Sequence, residues 1–315
     1  MNKELEIWQF AAEELIQSEY VMLLVVAESL GSSPGRQGFK MVVARNEMCG
    51  SIGGGVMETA LVERSKLRIK TEIIEQVHQK KSLDASGMIC SGRQTVIFRK
   101  LVYDDLPVLE AIIDSLKNYQ PKTLKITDGK LEIVENKLSD ADFAFEKQAE
   151  NHFIYQEKLG CKNKLFIIGG GHCALALSEL MAKMDFHISL FDDRPNLNTF
   201  DKNKFADRKI VVESYEKIGD YIESGANVYV VVMTVGYQSD AVVIRKLIDK
   251  DFKYFGVLGS RAKMAALLRE LKNEEFAPEK LNRIRTPAGI EINSRTPEEI
   301  AVSITAEIIQ VKNAK

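Results

Sequence analysis

The chain has 315 residues, enough for two domains rather than one ordinary core. Its 43 lysines and arginines stand against 45 aspartates and glutamates, and the resulting formal net charge of −2 provides no electrostatic footprint for nucleic acid or for an anionic membrane surface. The longest apolar runs, Val21 to Ala27 and Val228 to Met233, have the length of strands and not of a membrane span. The opening residues run straight into an amphipathic helix with no signal peptide, so a cytoplasmic protein is expected.

Leu5, Trp8, Ala12 and Leu15 place one apolar face on that opening helix, and Val21 to Ala27 follows as a buried strand. The segment from Glu28 to Lys40 holds three glycines, three serines and two cations, which predicts a loop. Met41 to Ala44 returns as a strand, Asn46-Glu47 turns the chain, and Gly50 to Gly55 opens a helix from Val56 to about Ile69. A glycine turn before a helix is a potential anion site, here built on Gly53, Gly54 and Gly55 with Ser32, Ser33, Arg36 and Lys40 as candidate neighbours. Close packing of helix on strand accounts for the same glycines equally well. Glu72 to Val77 and Thr95 to Val102 read as strands around a loop carrying Cys90, which is either a presented thiol or a small buried hydrophobe. Leu106, Leu109, Ile113 and Leu116 outline a helix. Lys122 to Thr127 and Lys130 to Val134 form a hairpin around Asp128-Gly129. Glu132 to Gln156, charged and irregular, reads as a linker, and the first, α+β domain is assigned to residues 1–157.

The second domain, residues 158–315, centres on Leu165 to Pro195. Four apolar residues, Leu165 to Ile168, make a strand buried on both faces. Gly169, Gly170 and Gly171 end it, a helix with apolar positions Ala174, Leu175, Leu177, Leu180, Met181 and Met184 follows, and His187 to Phe191 is the next strand, closing on Asp192. This is the order of a dinucleotide-binding βαβ unit. Gly169 makes the tight turn, Gly171 lets backbone amides approach a pyrophosphate, Ala174 occupies the third small position, and Asp192 stands where a carboxylate accepts from a ribose hydroxyl. His172 beside the turn suits phosphate contact, with Asp193 and Arg194 flanking the acid. The alternative is a structural turn with Asp192 capping a loop.

Lys209 to Val212 is a short strand and Asn227 to Thr234 a long buried one. The loop Val235 to Gln238, with Thr234 and Gly236, leads to a helix from Asp240 to Asp249 and lies past the carboxyl end of a parallel strand, where open α/β sheets place ligands. Tyr254 to Leu258 is the next strand. Gly259, Ser260 and Arg261 open a helix through Leu271, with Ser260 as its cap and Arg261 either reaching an anionic substrate or standing solvated. Thr286 to Arg295 is a loop, and Thr296, Pro297 and Glu299 form a capping box for the closing helix. The four cysteines show no C-x-x-C spacing and no histidine cluster, which argues against a structural metal site and against a disulfide framework.

Seven segments together resemble the XdhC/CoxI family of xanthine dehydrogenase accessory proteins: Gly31-Ser-Ser-Pro with Lys40-Met41, Gly50-Ser-Ile-Gly-Gly-Gly, Gly169-Gly-Gly-His, Asp192-Asp-Arg-Pro, Val232-Met-Thr, Gly256-Val-Leu-Gly-Ser-Arg and Arg295-Thr-Pro-Glu-Glu-Ile-Ala-Val-Ser-Ile. The resemblance implies an α/β chain whose C-terminal Rossmann-like parallel sheet is preceded by an α+β XdhC/CoxI domain. It implies a dimeric chaperone, not a turnover enzyme, which binds molybdenum cofactor (molybdopterin or its dinucleotide), protects it during sulfuration and delivers it to a xanthine dehydrogenase or related molybdenum hydroxylase. A cysteine desulfurase is a further expected partner. On this reading the cradle at Gly169 holds phosphates, while the Ser32 to Lys40 loop and Cys90 approach the pterin or molybdenum end. Where relatives read Gly-Gly-Cys-Val-Glu, this chain has Gly54-Gly55-Val56-Met57-Glu58, and where they carry Thr-His-Gly-His it has Thr234-Val235-Gly236-Tyr237, which leaves Cys90 as the thiol candidate. The alternative from the same βαβ unit is an NAD(P)-dependent oxidoreductase or a nucleotide-sensing scaffold, with Asp192 favouring NAD and Arg194 blurring that preference.

Overall fold

The computed structural model describes residues 3–67, 69–78, 92–134, 141–160, 163–184, 186–274 and 276–314. The chain divides into two compact units, residues 1–161 and 162–315. In the first the elements run α1 (Lys3–Gln17), β1 (Tyr20–Gly31), β2 (Lys40–Val43), β3 (Met48–Gly50), α2 (Gly55–Leu67), β4 (Glu72–His78), β5 (Gly92–Val102), α3 (Leu106–Lys117), β6 (Lys122–Thr127), β7 (Leu131–Val134), β8 (Phe143–Lys147) and β9 (Phe153–Leu159). They form two antiparallel sheets, ordered β3-β2-β1-β5-β4 and β7-β6-β9-β8.

Strand β1 shows why an unbroken apolar run suits this place. Val21, Leu23 and Val25 enter one core with Trp8 and Leu15 of α1, Ile112 of α3 and Tyr155 of β9. Met22, Leu24 and Val26 point the other way, onto Leu61 and Val62 of α2. With both faces covered, the alternation of direction leaves no position for a polar residue.

Two expectations fail in this unit. Glu28 to Gly31, read as loop, continues β1 opposite Gly92 to Thr95 of β5, after an irregularity between Val26 and Glu28 that shifts the register. Much of the stretch read as a linker is sheet: β8 and β9 pair antiparallel with Phe145 opposite Tyr155. Strand β8 lies at the sheet edge, where Glu146 and Lys147 meet solvent at no cost, so its charge imitates a linker. The unit therefore extends past Glu157 to the end of β9.

The second unit holds β10 (Asn163–Ile168), α4 (His172–Ala182), β11 (Phe186–Asp192), α5 (Asn198–Asp201), β12 (Arg208–Val211), β13 (Gly225–Val232), α6 (Tyr237–Leu247), β14 (Phe252–Val257), α7 (Arg261–Asn273), α8 (Pro278–Leu281), β15 (Ile284–Arg285) and α9 (Pro297–Asn313). All pairings are parallel, in the order β12-β11-β10-β13-β14-β15. Counted from β10 this is 3-2-1-4-5-6, the doubly wound order. Phe166, Ile168, Val230 and Val232 face α6 and α7, whereas Leu165, Ile167, Tyr229 and Val231 face α4 and α9. Helix α6 starts at Tyr237, three residues earlier than the apolar periodicity predicts, because Gly236 is its N-cap and Asp240 lies inside the first turn. No helix among the described residues is long and apolar enough to cross a membrane.

Candidate functional site

The chain order of the parallel sheet reverses between β10 and β13, and the crevice beyond the carboxyl ends of such a strand pair is where open α/β sheets bind ligands. Two glycine-bearing turns flank it, Gly169 to Gly171 before α4 and Thr234 to Gly236 before α6. A third, Gly259-Ser260, opens α7 after β14.

The three glycines after β10 meet different constraints. Gly169 has φ +107°, and a Cβ there would lie 2.2 Å from the carbonyl oxygen of Met233 on the neighbouring strand. At Gly170 a Cβ would sit 2.7 Å from Cδ2 of Phe200, while the Gly170 carbonyl accepts from Thr199 Oγ1 at 2.6 Å. Gly171 has ordinary extended backbone as N-cap of α4, and nothing lies within 4 Å of the position its Cβ would take. No acceptor among the described residues takes the N–H of Gly171 or His172. Above the first turn of an eleven-residue helix there is thus space, with amide donors and the positive end of the helix dipole directed into it. His172 is exposed at this mouth, Ala174 is buried beneath it, and Gly236 likewise has open space over its Cα.

Asp192, at the end of β11, is fully buried. Its Oδ2 accepts from Gly170 N at 2.6 Å and from an Arg194 terminal nitrogen at 2.8 Å, and Oδ1 accepts from Arg194 N at 2.9 Å and Arg194 Nε at 2.8 Å. Burial alone raises its pKa, but the bonds from Arg194 and Gly170 prevail and hold the carboxyl below its usual range. Four donors account for the acceptor sites of a carboxylate. Asp192 is here a strut of the glycine turn, and a ribose hydroxyl reaches it only where Arg194 swings aside. Asp193 is exposed next to the pair.

Across the crevice is a cluster that sequence reasoning missed. Asp240 of α6, 1% exposed, accepts from Thr234 Oγ1 at 2.6 Å and Thr234 N at 3.2 Å, and its other oxygen meets Lys263 Nζ of α7 at 3.3 Å. Burial raises its pKa against the pull of Thr234 and Lys263. The available signal was Asp240 four residues past Gly236, in the first helical turn where a carboxylate meets unpaired amides. Tyr237 donates to Glu270 of α7, and Val235 stands 73% exposed at the lip. Ser260 caps α7 as expected, accepting from Lys263 N at 3.3 Å, whereas Arg261 is exposed and paired with Glu291 at 2.7 Å. Cys173, half-buried in the first turn of α4, has its thiol pKa raised by burial and by Glu298, which keeps it neutral.

The glycine turn of the first unit departs from the expectation. Glu58, one turn into α2, reaches back so that one oxygen accepts from Ser51 Oγ at 2.7 Å, Ile52 N at 2.8 Å and Gly54 N at 3.0 Å. The anion that this turn attracts is the chain's own carboxylate, which the amides and Ser51 hold below its usual pKa despite burial. Gly53 serves close approach, its Cβ position lying 2.5 Å from Gly35 N. Lys40 is no neighbour of a phosphate: its ammonium is buried between Glu4, at 3.0 Å, and Glu157, and also donates to the Gly38 carbonyl. Ser33 is spent on Gln94 at 2.8 Å, while Ser32 and Arg36 remain exposed on the loop and Gly55 begins α2. Cys90 lies outside the described residues.

Comparison with known proteins agrees with this division. A family model described as the XdhC Rossmann domain matches residues 165–308, and one described as the XdhC and CoxI family matches residues 15–76. The uncharacterized protein YqeB of Escherichia coli is 25% identical over 292 residues, 91% of this chain and 43% of that protein. A Bacillus subtilis protein named as a probable xanthine dehydrogenase subunit is 29% identical over 185 residues, 59% of this chain and 53% of that protein. Each match thus spans only about half of the relative. A crystal structure described as a xanthine dehydrogenase from Bacillus halodurans superposes with a TM-score of 0.76 at 21% identity, covering 99% of this chain and 96% of that one, which is a likeness of fold. With both family models matched in order along it, the chain belongs to the XdhC and CoxI family, its second unit being the XdhC Rossmann domain.

Proposed function

We propose that this chain is an accessory protein of a molybdenum hydroxylase, binding molybdenum cofactor by its phosphate, shielding it during sulfuration and passing it to the enzyme. The observation that carries the reading is the open cradle on α4: amides of Gly171 and His172 directed into space that no side chain fills, at the reversal point of a doubly wound sheet. A phosphate-bearing group fits that donor set, with His172 at the mouth and Lys263 able to turn from Asp240 toward added negative charge. The xanthine dehydrogenase names carried by a relative and by the Bacillus halodurans structure support an accessory place in such a system. When bound, the cofactor supplies the oxidation chemistry of the enzyme that receives it. The chain's own residues bind, orient and exclude water. A homodimer and a cytoplasmic location go with this proposal, as does a cysteine desulfurase as sulfur donor.

The test is purification of the native protein followed by oxidative release of bound pterin, read by fluorescence, and pull-down of the hydroxylase. Pterin in the wild type and its loss in Gly171→Val is the expected result. Absence of pterin, together with failure of added cofactor to bind, overturns the proposal. The doubly wound order also suits a dinucleotide, so calorimetry with NAD, NADH and NADP belongs to the same experiment. Tight nucleotide binding with hydride transfer would replace the carrier reading by an oxidoreductase.

A further inference from the structure

Away from the glycine turns, the second unit has a cleft of roughly 580 Å³ along the outer edge of its sheet, lined from β14, β15, α8 and their connections. Strand β15 has only two residues, and it covers β14 at Phe255 and Gly256 alone, opposite Ile284 and Arg285. Phe252 and Tyr254 pair with Gly225 and Tyr229 of β13 on one side, and no strand among the described residues pairs with Phe252, Lys253 or Tyr254 on the other. Peptide donors and acceptors of this stretch are therefore open to the cleft, whose exposed lining is more polar than apolar, and Phe252 and Phe255 stand edge to face with ring centroids 5.5 Å apart.

Lys250, Lys253, Lys280, Arg283 and Arg285 line the same cleft, with Glu307 as the one acid among the lining residues. Lys250 is engaged by the carbonyls of Gly219 and Ile222, and Arg285 by Glu307. Lys280 pairs with Asp249 and Arg283 with Asp251, but both acids are at least 70% exposed. Exposed pairs of this kind contribute little and exchange readily for another carboxylate. Lys253 is exposed and makes no ion pair among the described residues.

A lysine on an open edge normally blocks pairing with a second copy of the same strand, because two basic edges repel. The same lysine attracts a strand of opposite charge. We infer that this cleft receives an extended acidic segment of a partner polypeptide, which adds to the sheet beside Phe252 to Tyr254 and exchanges its carboxylates with those now held by Lys280 and Arg283. The cations are strung along three chain segments and do not converge on one point, and the open backbone edge offers alternating donors and acceptors, so a peptide fits where a compact phosphate would leave the edge unpaired.

The probe is a labelled peptide of alternating glutamate and valine, titrated by fluorescence anisotropy at low salt into the full chain. Its backbone N-methylated form and a lysine-valine peptide serve as controls. The glutamate-valine peptide is expected to bind, with hydrogen exchange slowing within Phe252 to Tyr254. The pair Lys253→Glu and Arg283→Glu is expected to weaken binding about tenfold or more, since each exposed reversal removes an attraction and adds a repulsion. Lys253→Glu alone, at an exposed residue that makes no ion pair among the described residues, guards against a folding artefact and lowers affinity by a smaller factor. No binding of the peptide, equal binding of its N-methylated form, or unchanged affinity in the double variant each overturns the inference.

Discussion

Gly169 and Gly171 stand two residues apart, and their substitutions separate folding from capture. Gly169→Val places a side chain on a left-handed backbone and against the Met233 carbonyl, so it is expected to cost several kcal/mol, about 1–3 for the strained φ alone, and to lower the melting temperature or abolish soluble expression. Gly171→Val enters open space at a permitted φ, so thermal unfolding is expected to stay within about 1 kcal/mol of wild type while bound pterin is lost. A Gly171→Val protein that retains its ligand removes the cradle from the account. Asp192→Asn tests the strut. The folded Asp192 pKa is depressed, so its contribution to stability is present above the ordinary carboxyl pKa and disappears as pH falls through the lower folded value. The variant is expected to be less stable than wild type at neutral pH and to converge with it in acid, as read by denaturation at several pH values.

At the level of elements, buried charge fastens α1 to the sheets of its own unit. Lys40 of β2 lies between Glu4 of α1 and Glu157 of β9, and Tyr155 donates to Glu157 at 2.7 Å. Burial first, and the second carboxylate of Glu4, push the Glu157 carboxyl from about 4.5 up to about 8, while Lys40 holds the opposite charge and is itself pushed above its usual value. The folded unit keeps a proton on Glu157 that the unfolded chain releases, so stability is expected to fall as pH rises from about 4.5 to about 8. Glu157→Gln cannot titrate and is expected to flatten that slope in thermal melts. An unchanged slope would place the proton elsewhere. At the other end of the chain, Thr296 accepts from Glu299 N and Glu299 accepts from Thr296 N, both at 3.2 Å, a reciprocal cap on α9. Thr296→Ala is expected to cost about 1 kcal/mol in chemical denaturation, the ordinary loss of such a cap.

For the whole molecule the decisive feature is that each unit encloses cores of its own. Leu24 is buried between β1 and α2 in the first unit, and Leu177 between the sheet and α9 in the second. Truncating either to alanine is expected to cost about 2–5 kcal/mol. Hydrogen exchange is the measurement to make: Leu24→Ala is expected to release protection in β1 and β5, and Leu177→Ala in β10 and β13, each chiefly within its own unit.

The patterns that depend on near neighbours were legible without coordinates. The apolar runs of β1, β10 and β13 need only two covered faces, the Thr296 box is contained in four residues, and the glycine–helix–strand–acid succession from Leu165 to Asp192 is a local consequence of chain stiffness and hydrogen bonding. Tertiary structure decided which groups were already satisfied. Glu58 fills the turn that glycine spacing marks as an anion site, Arg194 occupies the acid expected to hold a ribose, and Lys40 turns inward to Glu4 and Glu157, which are 36 and 117 residues away in the chain. Spacing reports which donors and acceptors a segment carries. Whether a partner from a distant element has already claimed them is settled only when the chain closes on itself, because an unpaired buried charge is too costly to leave.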